Sequence, residues 1–277
     1  MPTPVLTAIH FYPVKSMAGC APDEAAVEPW GLAGDRRWMV SDESGLLITQ
    51  RQQPRLALAS SRPLPGGGVR IDAPGVGALD VAVPEPAGGA GTVTVQVFRD
   101  KVEAVPAGAA ADAWVSEFLG REARLLHLDD PGRRRPIDPD YSRPGETVSF
   151  ADGYPLLLTA LSSLATLNSL IARTDLAHET PLPMDRFRPN VVVDHTDPWA
   201  EDGWRRVRIG EVTFRAVKPS GRCVVTTVDQ RTAVRGKEPL RTLAREHRIG
   251  KAAVFGQNLI PEHTGILRVG DEVEILA

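Results

Sequence analysis

The sequence predicts a mainly β protein with several helices (α+β), arranged as two domains, and three observations carry that reading. Short segments place apolar residues at every second position; Val93, Val95 and Val97, for example, alternate with polar neighbours, the pattern of a half-buried strand. Gly-containing turns separate paired runs at Gly210-Glu211 and at Gly270-Asp271, as hairpins require. The 277 residues, set against a soft prior of roughly 150 per domain, make two domains the expectation.

Taken in order, Val5 to Tyr12, Trp38 to Asp42 and Thr92 to Phe98 read as strands of a half-buried antiparallel sheet. Gly66-Gly67-Gly68 and Gly88-Gly89-Ala90-Gly91 interrupt it. Glycine-rich loops can cradle phosphate, but neither is followed by Lys-Ser/Thr or by a helix, so both read as long hairpin loops. Ala109 to Leu119 has helical spacing, with Ala111, Trp114, Val115 and Phe118 on one face, and closes the first domain. The junction is placed near residue 122, giving domains 1–122 and 123–277.

Ala123 to Leu128 is strand-like, and Asp129 to Glu146, dense in Pro, Gly and Arg, reads as a long loop. Its Arg133-Arg134-Arg135 run reads as solvated surface, the alternative being a guard for an anionic site or a contact for an acidic partner. Ser162 to Arg173 is predicted helical, with a core stripe of Leu164, Leu167, Leu170 and Ile171. Two hairpins, Val207 to Ala216 and Ile266 to Leu276, flank a helix at Pro239 to Arg245 opened by proline in its first turn. The second half therefore reads as a barrel-like sheet with covered edges.

Composition narrows function. Hydrophobic residues at 42% and charged residues at 24% supply a core and exclude a disordered chain. A formal charge of -3 gives no long-range field for nucleic acid or an anionic membrane, so any anion site is local. No apolar run approaches the roughly 18 residues of a membrane span, and Met1-Pro2-Thr3-Pro4 lacks the regions of a signal peptide. A cytoplasmic protein with no membrane or nucleic-acid partner is expected. Two cysteines, Cys20 and Cys223, exclude a disulfide framework, a four-cysteine zinc site and an iron–sulfur cluster, leaving one lone functional thiol at most. Six histidines without metal-site spacing make zinc unexpected, and pyridoxal phosphate is not expected either.

The sequence contains no Gly-x-Ser-x-Gly elbow, no Cys-x-x-Cys, no His-Glu-x-x-His and no phosphate-binding Gly-Lys-Ser/Thr loop. What stands out is Ser220-Gly221-Arg222-Cys223-Val224-Val225-Thr226-Thr227-Val228-Asp229, read as a turn leading into a strand. A lone cysteine there is ordinarily a small buried hydrophobe. The functional reading is that Arg222 and nearby Lys218 favour a thiolate, a soft metal ligand, while the Ser-Gly turn frees backbone N–H groups for an anion. Further cations sit among restricted backbones in Tyr12-Pro13-Val14-Lys15-Ser16, Gly34-Asp35-Arg36-Arg37-Trp38 and Arg186-Phe187-Arg188-Pro189-Asn190. Singly these are surface charges or structural ion pairs; together they can form a cluster.

These stretches, with Gly31-Leu32 to Trp38, Thr49-Gln50-Arg51-Gln52-Gln53-Pro54-Arg55-Leu56, Thr226 to Asp229 and Phe255-Gly256-Gln257-Asn258, resemble the MOSC family. More closely, they resemble its two-domain type, the mitochondrial amidoxime-reducing component and its bacterial relatives, in order from about residue 5 to 276. The resemblance implies an N-terminal MOSC-associated β-barrel domain and a C-terminal MOSC β-barrel-like domain, with the molybdenum cofactor (Mo-molybdopterin) in the cleft between them. It implies Cys223 as the protein thiolate on molybdenum and as a catalytic residue. It implies that Lys15, Ser16, Arg36, Arg188, Asn190, Gly221, Arg222 and Asn258 grip the cofactor, with Gly153 and Tyr154 in the corresponding loop. Asp152 falls next to the metal as the candidate proton donor, its plain alternative being a loop-capping carboxylate. Arginine's planar fork and lysine's compact charge suit a phosphate.

Two departures bear on the pterin contacts and pocket width: Ser220-Gly221 replaces an expected Ser-Cys pair, and Tyr154 replaces a small hydroxyl residue. The implied activity is a molybdenum oxidoreductase reducing a small N-hydroxylated or N-oxide substrate. The chain stops at Ala277 without a cysteine cluster, so a separate electron-donor protein of ferredoxin, flavodoxin or cytochrome b5 type, with its reductase, is expected. The alternatives are a non-redox molybdenum cofactor or sulfur carrier using Cys223, and a binding module without metal.

Overall fold

A computed structural model describes residues 3–85 and 91–277; the expected glycine-rich loop at Gly88-Gly89-Ala90 lies outside them. The strands in chain order are β1 (Val5–Ile9), β2 (Glu24–Glu28), β3 (Gly31–Leu32), β4 (Trp38–Ser41), β5 (Ser60–Pro63), β6 (Val69–Ala73), β7 (Gly77–Val81), β8 (Val93–Val97) and β9 (Asp100–Pro106). They continue with β10 (Arg124–His127), β11 (Leu156–Ala160), β12 (Val191–Asp194), β13 (Arg206–Ile209), β14 (Val212–Gly221), β15 (Arg248–Ile249), β16 (Ala252–Pro261), β17 (Gly265–Arg268) and β18 (Val273–Ile275). The α-helices are α1 (Ala109–Leu119), α2 (Pro131–Arg134), α3 (Leu161–Ile171) and α4 (Leu240–Glu246). The fold is mainly β with helices, as the alternation predicts.

The largest sheet runs β1-β12-β11-β16-β14-β13-β18, with β15 joined to β16 off this path. Its last strand returns to its first: Leu6 N–H donates to Asp271 O (2.8 Å) and Val273 N–H to Pro4 O (2.8 Å), nearly closing a barrel. Leu6, Leu158, Val191, Val193, Val207, Phe214 and Leu259 fill it, fully buried, each contributing about 1.5–3 kcal/mol. Gly256 lies at the tight point of β16: its φ is +80° and an added Cβ would fall 2.3 Å from Leu158 O, so only glycine fits.

β11 and β12 are parallel, Leu158 opposite Val191, with α3 between them in sequence. Buried strands of this kind read as continuous apolar runs rather than alternating ones, and for that reason neither stands out in the sequence. The helices at Ala109 to Leu119 and Ser162 to Arg173 are found as α1 and α3, α1 packing Trp114 and Phe118 inward and ending at left-handed Gly120. The expected loop at Asp129 to Glu146 holds the short α2, and Pro239 caps α4 rather than opening it from inside.

The first half supplies a half-barrel of β4-β10-β9-β8 and β5-β6-β7, closed by α1 through Trp114 Nε1–H to Gly77 O at 2.8 Å. The expected junction near residue 122 lies between α1 and β10. Strands pair across it: β10 inserts between β4 and β9, while β1 pairs with β12 and β2 with β17.

One expected hairpin, Val207 to Ala216, forms as β13–β14. The other, Ile266 to Leu276, does not. β17 pairs with β2, Ile266 opposite Ala26, and β18 pairs with β13, Val207 opposite Ile275. Gly270 N–H is taken by Leu6 O (2.8 Å) and Arg268 N–H by Asp271 Oδ2 (2.7 Å), so the turn bends the chain from one sheet to another. Each arm's alternation is satisfied by a different partner.

Candidate functional site

A cleft of about 310 Å³ opens where the half-barrel meets the barrel. Lys15, Ser16, Arg36, Asp152, Gly153, Tyr154, Arg188, Asn190, Gly221, Arg222, Cys223 and Asn258, the full set singled out from sequence, line it. Lys15 is held by its N–H to Trp38 O (2.8 Å) beside β4; Arg36 precedes β4, and Arg188 and Asn190 lead into β12. Asn258, in β16, donates from Nδ2 to Lys218 O at 3.1 Å across to β14.

Cys223 stands after a strand, not before one. β14 runs through Ser220-Gly221, with Gly221 opposite Val254, and Cys223 caps the 3-10 turn Val224–Thr227. Arg222 N–H is bound to Ala253 O (2.8 Å), so this stretch is sheet rather than the free-amide turn expected. The two barrel strands need its ladder bonds.

Three cleft residues, Ser16 (φ 71°), Arg36 (φ 48°) and Arg188 (φ 53°), are non-glycines in the left-handed region. Each costs about 1 kcal/mol, and strain gathered at one cleft is a mark of function.

Arg36 and Arg188 both pack against the Tyr12 ring, their guanidinium carbons 4.5 and 4.2 Å from its centroid. Behind them Asp35, 1% exposed, accepts from Arg36 Nη1 (2.5 Å), Asn190 Nδ2 (3.2 Å) and Tyr12 N (2.8 Å). Burial works against the Arg36 charge, but Asp35 outweighs it and the pKa lies above the ordinary value. Burial pushes Arg188 down to about 10 and lowers Arg222 as well. Arg222 donates to Ser220 Oγ (2.8 Å) and Phe187 O (2.7 Å). Arg188 Nη2 and Arg222 Nε are buried with no acceptor among the described residues. Such donors are expensive to leave unmet and await an anionic ligand.

The cation at the sulfur is Arg51, not Arg222 as the sequence suggested. Arg51 Nη2 lies 3.4 Å from Cys223 Sγ and 3.9 Å from Asp152 Oδ2, with its guanidinium 4.8 Å from the Phe98 ring centroid. Arg51 sits in a stretch that carried the family resemblance, but no single-sequence signal links residues 172 apart. Asp152 pairs with Lys15 Nζ at 2.5 Å. Desolvation works against its charge, yet Lys15 and then Arg51 outweigh that and hold the carboxyl well below the usual range. Its side chain, 71% exposed, also meets water. Asp152 is thus ionised and the proton at this spot sits on Lys15, which burial pushes down to about 8. The carboxyl expected as a proton donor thus stands as the ion-pair partner of Lys15.

Lys15, Arg36, Arg51, Arg188, Lys218 and Arg222 face one carboxylate, Asp152, in the cleft of a chain whose formal charge is -3. The arrangement suits a polyanion with a soft atom near Cys223.

Comparison with known proteins gives two family matches, "MOSC N-terminal beta barrel domain" over residues 3–122 and "MOSC domain" over residues 145–274. The chain is 34% identical over 284 residues to human mitochondrial amidoxime-reducing component 1, covering 97% of this chain and 82% of that protein. Human mitochondrial amidoxime reducing component 2 is 33% identical over 282 residues, covering 96% and 81%. Zebrafish molybdenum cofactor sulfurase is 33% identical over 266 residues, covering 91% of this chain and 31% of that protein.

Proposed function

The chain belongs to the MOSC family, and from that premise we propose that it is a molybdenum-cofactor oxidoreductase that reduces N-hydroxylated or N-oxide compounds. The observation that carries the reading is the cleft itself: a cysteine sulfur beside a guanidinium, and buried arginine donors with no acceptor among the described residues. These residues fit molybdopterin. Arg36, Arg188, Arg222 and Lys15 would hold its phosphate and pterin, Asn258 would meet its amide-like edge, Asn190 fixes Arg36 from behind by accepting from its Nη1 (3.1 Å), and Cys223 Sγ would be the soft donor for the metal. The volume, about 310 Å³, lies at the lower end of ligand pockets, roughly 300–1,000 Å³.

When bound, the cofactor would supply two electrons to an N–O bond, giving the reduced nitrogen compound and water with two protons taken up. The chain's own part is positional. Arg51 keeps positive charge against Sγ, the Lys15–Asp152 pair holds a proton in the cleft, and the Tyr12 ring packs against two guanidinium groups. Two cysteines cannot build an iron–sulfur cluster within these residues, so electrons would reach the cleft from outside them, from a donor of ferredoxin, flavodoxin or cytochrome b5 type.

The test is molybdenum per chain by elemental mass spectrometry, for wild type and Cys223→Ala from a cofactor-producing host, with benzamidoxime reduction by dithionite-reduced viologen. Near one atom in wild type, almost none in the variant and loss of turnover are expected; variant activity within twofold of wild type overturns the assignment. The sulfurase similarity favours a carrier as second reading. Ready transfer of the cofactor to an apo-enzyme, in place of retention through gel filtration, would establish it.

A further inference from the structure

A second cavity, about 680 Å³, lies against the cofactor cleft and shares Asp152, Gly153, Tyr154 and Lys218 with it. Its floor is apolar, with Ile137 and Val148 buried beside the half-buried Tyr154 ring. Its rim carries Arg99 and Lys101, both exposed, on the turn and strand that follow Phe98.

The walls are fixed before any ligand arrives. Arg135, 3% exposed, donates to Asp100 Oδ2 (2.8 Å), Asp152 O (2.9 Å) and Ser149 O (3.1 Å), tying the start of β9 to the backbone that presents Asp152. The arginine run at 133–135 is thus a pin at Arg135 and ion pairs of Arg134 with Asp129 (2.9 Å) and Arg133 with Asp130 (3.4 Å).

Pairing decides the cavity's charge. Asp100 is engaged by Arg135 and Asp152 by Lys15. Among the described residues, Arg99, Lys101 and Lys218 have no ion-pair partner, and Lys218 Nζ lies 4.1 Å from the Tyr141 ring centroid. The remaining carboxylate is Asp138, which accepts from Asp140 N–H (3.1 Å). Three free cations face one free carboxylate across an apolar floor, a site for a flat body bearing negative charge at its outer end.

We propose that this second cavity receives the substrate and selects N-hydroxylated compounds that carry a carboxylate or phosphate remote from the N–O bond. The N–O end reaches the Asp152 and Cys223 side, the planar body lies against Tyr154, and the anion meets Arg99 and Lys101. The inference rests on the reductase reading and names the substrate class for it.

The experiment compares benzamidoxime with 4-carboxybenzamidoxime, using holoenzyme and reduced viologen, for wild type, Arg99→Ser/Lys101→Ser and Arg99→Glu/Lys101→Glu. Wild type is expected to favour the carboxylated substrate in kcat/KM by about fivefold, and the charge-reversed pair to lower that ratio by about tenfold or more. The preference should shrink with added salt, as rim charges are screened. A ratio unchanged among the three proteins overturns the proposal. Calorimetric binding of benzamide and 4-carboxybenzamide to the same proteins separates the two readings. If wild type reduces neither amidoxime, the reductase reading fails; a carboxylate preference in binding that the reversed pair loses still upholds the cavity assignment, and equal binding overturns it.

Discussion

Asp35→Asn tests whether the cationic wall of the cleft depends on one buried carboxylate. Asp35 is 1% exposed and accepts from the Arg36 guanidinium, the Asn190 amide and the Tyr12 backbone. An isosteric asparagine turns a donor toward one of these donors and leaves the Arg36 charge, itself only 9% exposed, without its counter-ion. Breaking a buried pair from one side costs about 3–5 kcal/mol. For a chain of this size each kcal/mol moves Tm by roughly 2–4 °C, so a fall of about 10 °C is expected by scanning calorimetry. Arg36→Met in the same background removes the orphaned charge, so the double variant should be less destabilised than the sum of the singles by about 1 kcal/mol or more. Cofactor content should fall in each single variant, because Arg36 loses its fixed plane. A Tm drop under about 2 °C, or strict additivity, refutes the reasoning.

Two further outcomes follow from the same geometry. Replacing Arg51 by Gln removes the cation 3.4 Å from Cys223 Sγ, and in a Cys20→Ser background alkylation by iodoacetamide should slow about threefold or more; an unchanged rate shows that Arg51 does not act on the sulfur. Lys15, pushed down to about 8 by burial against the pull of Asp152, is charged below that pH and neutral above it. Calorimetric affinity for sulfate, whose own charge is constant, should therefore fall about threefold or more from pH 7 to 9, while Lys15→Arg stays flat; a flat wild-type profile contradicts the titration.

How far the sequence reaches is set by the range of the signals. Helices α1 and α3 announce themselves through 3.6-residue apolar spacing, and Val93, Val95 and Val97 through alternation, because both periods are local. β11 and β12 do not, since burial on both faces erases alternation. The Ile266 to Leu276 hairpin is misread because alternation gives a strand's faces but not its partner, and the partners, β2 and β13, lie far away in sequence. The cleft residues were legible through their family pattern, yet which cation touches Cys223 was not: Arg222 is adjacent in sequence, but its donors turn to Ser220 and Phe187, leaving the sulfur to Arg51.

The cleft concentrates features that lower the stability of the protein without ligand. Ser16, Arg36 and Arg188 adopt left-handed backbone, Arg188 and Arg222 bury donors without acceptors among the described residues, and six cations face one carboxylate. Phe98, His195, Trp199 and Ala233 are also left-handed, and Arg186 and Arg215 also bury unmet donors, but the cleft gathers strain, unmet donors and like charge in one place, the signature of a site shaped for binding rather than for folding. A bound anion offsets all three at once: it accepts the unmet donors, lowers the mutual repulsion of the cations and makes the strained backbone useful. Stabilisation by ligand then grows as RT ln(1 + [L]/Kd), so the loaded protein should resist heat and proteolysis more than the empty one. The gain should be reduced by Arg188→Met and by Arg222→Met, and it should survive at Arg99 and Lys101, whose charges serve the neighbouring cavity.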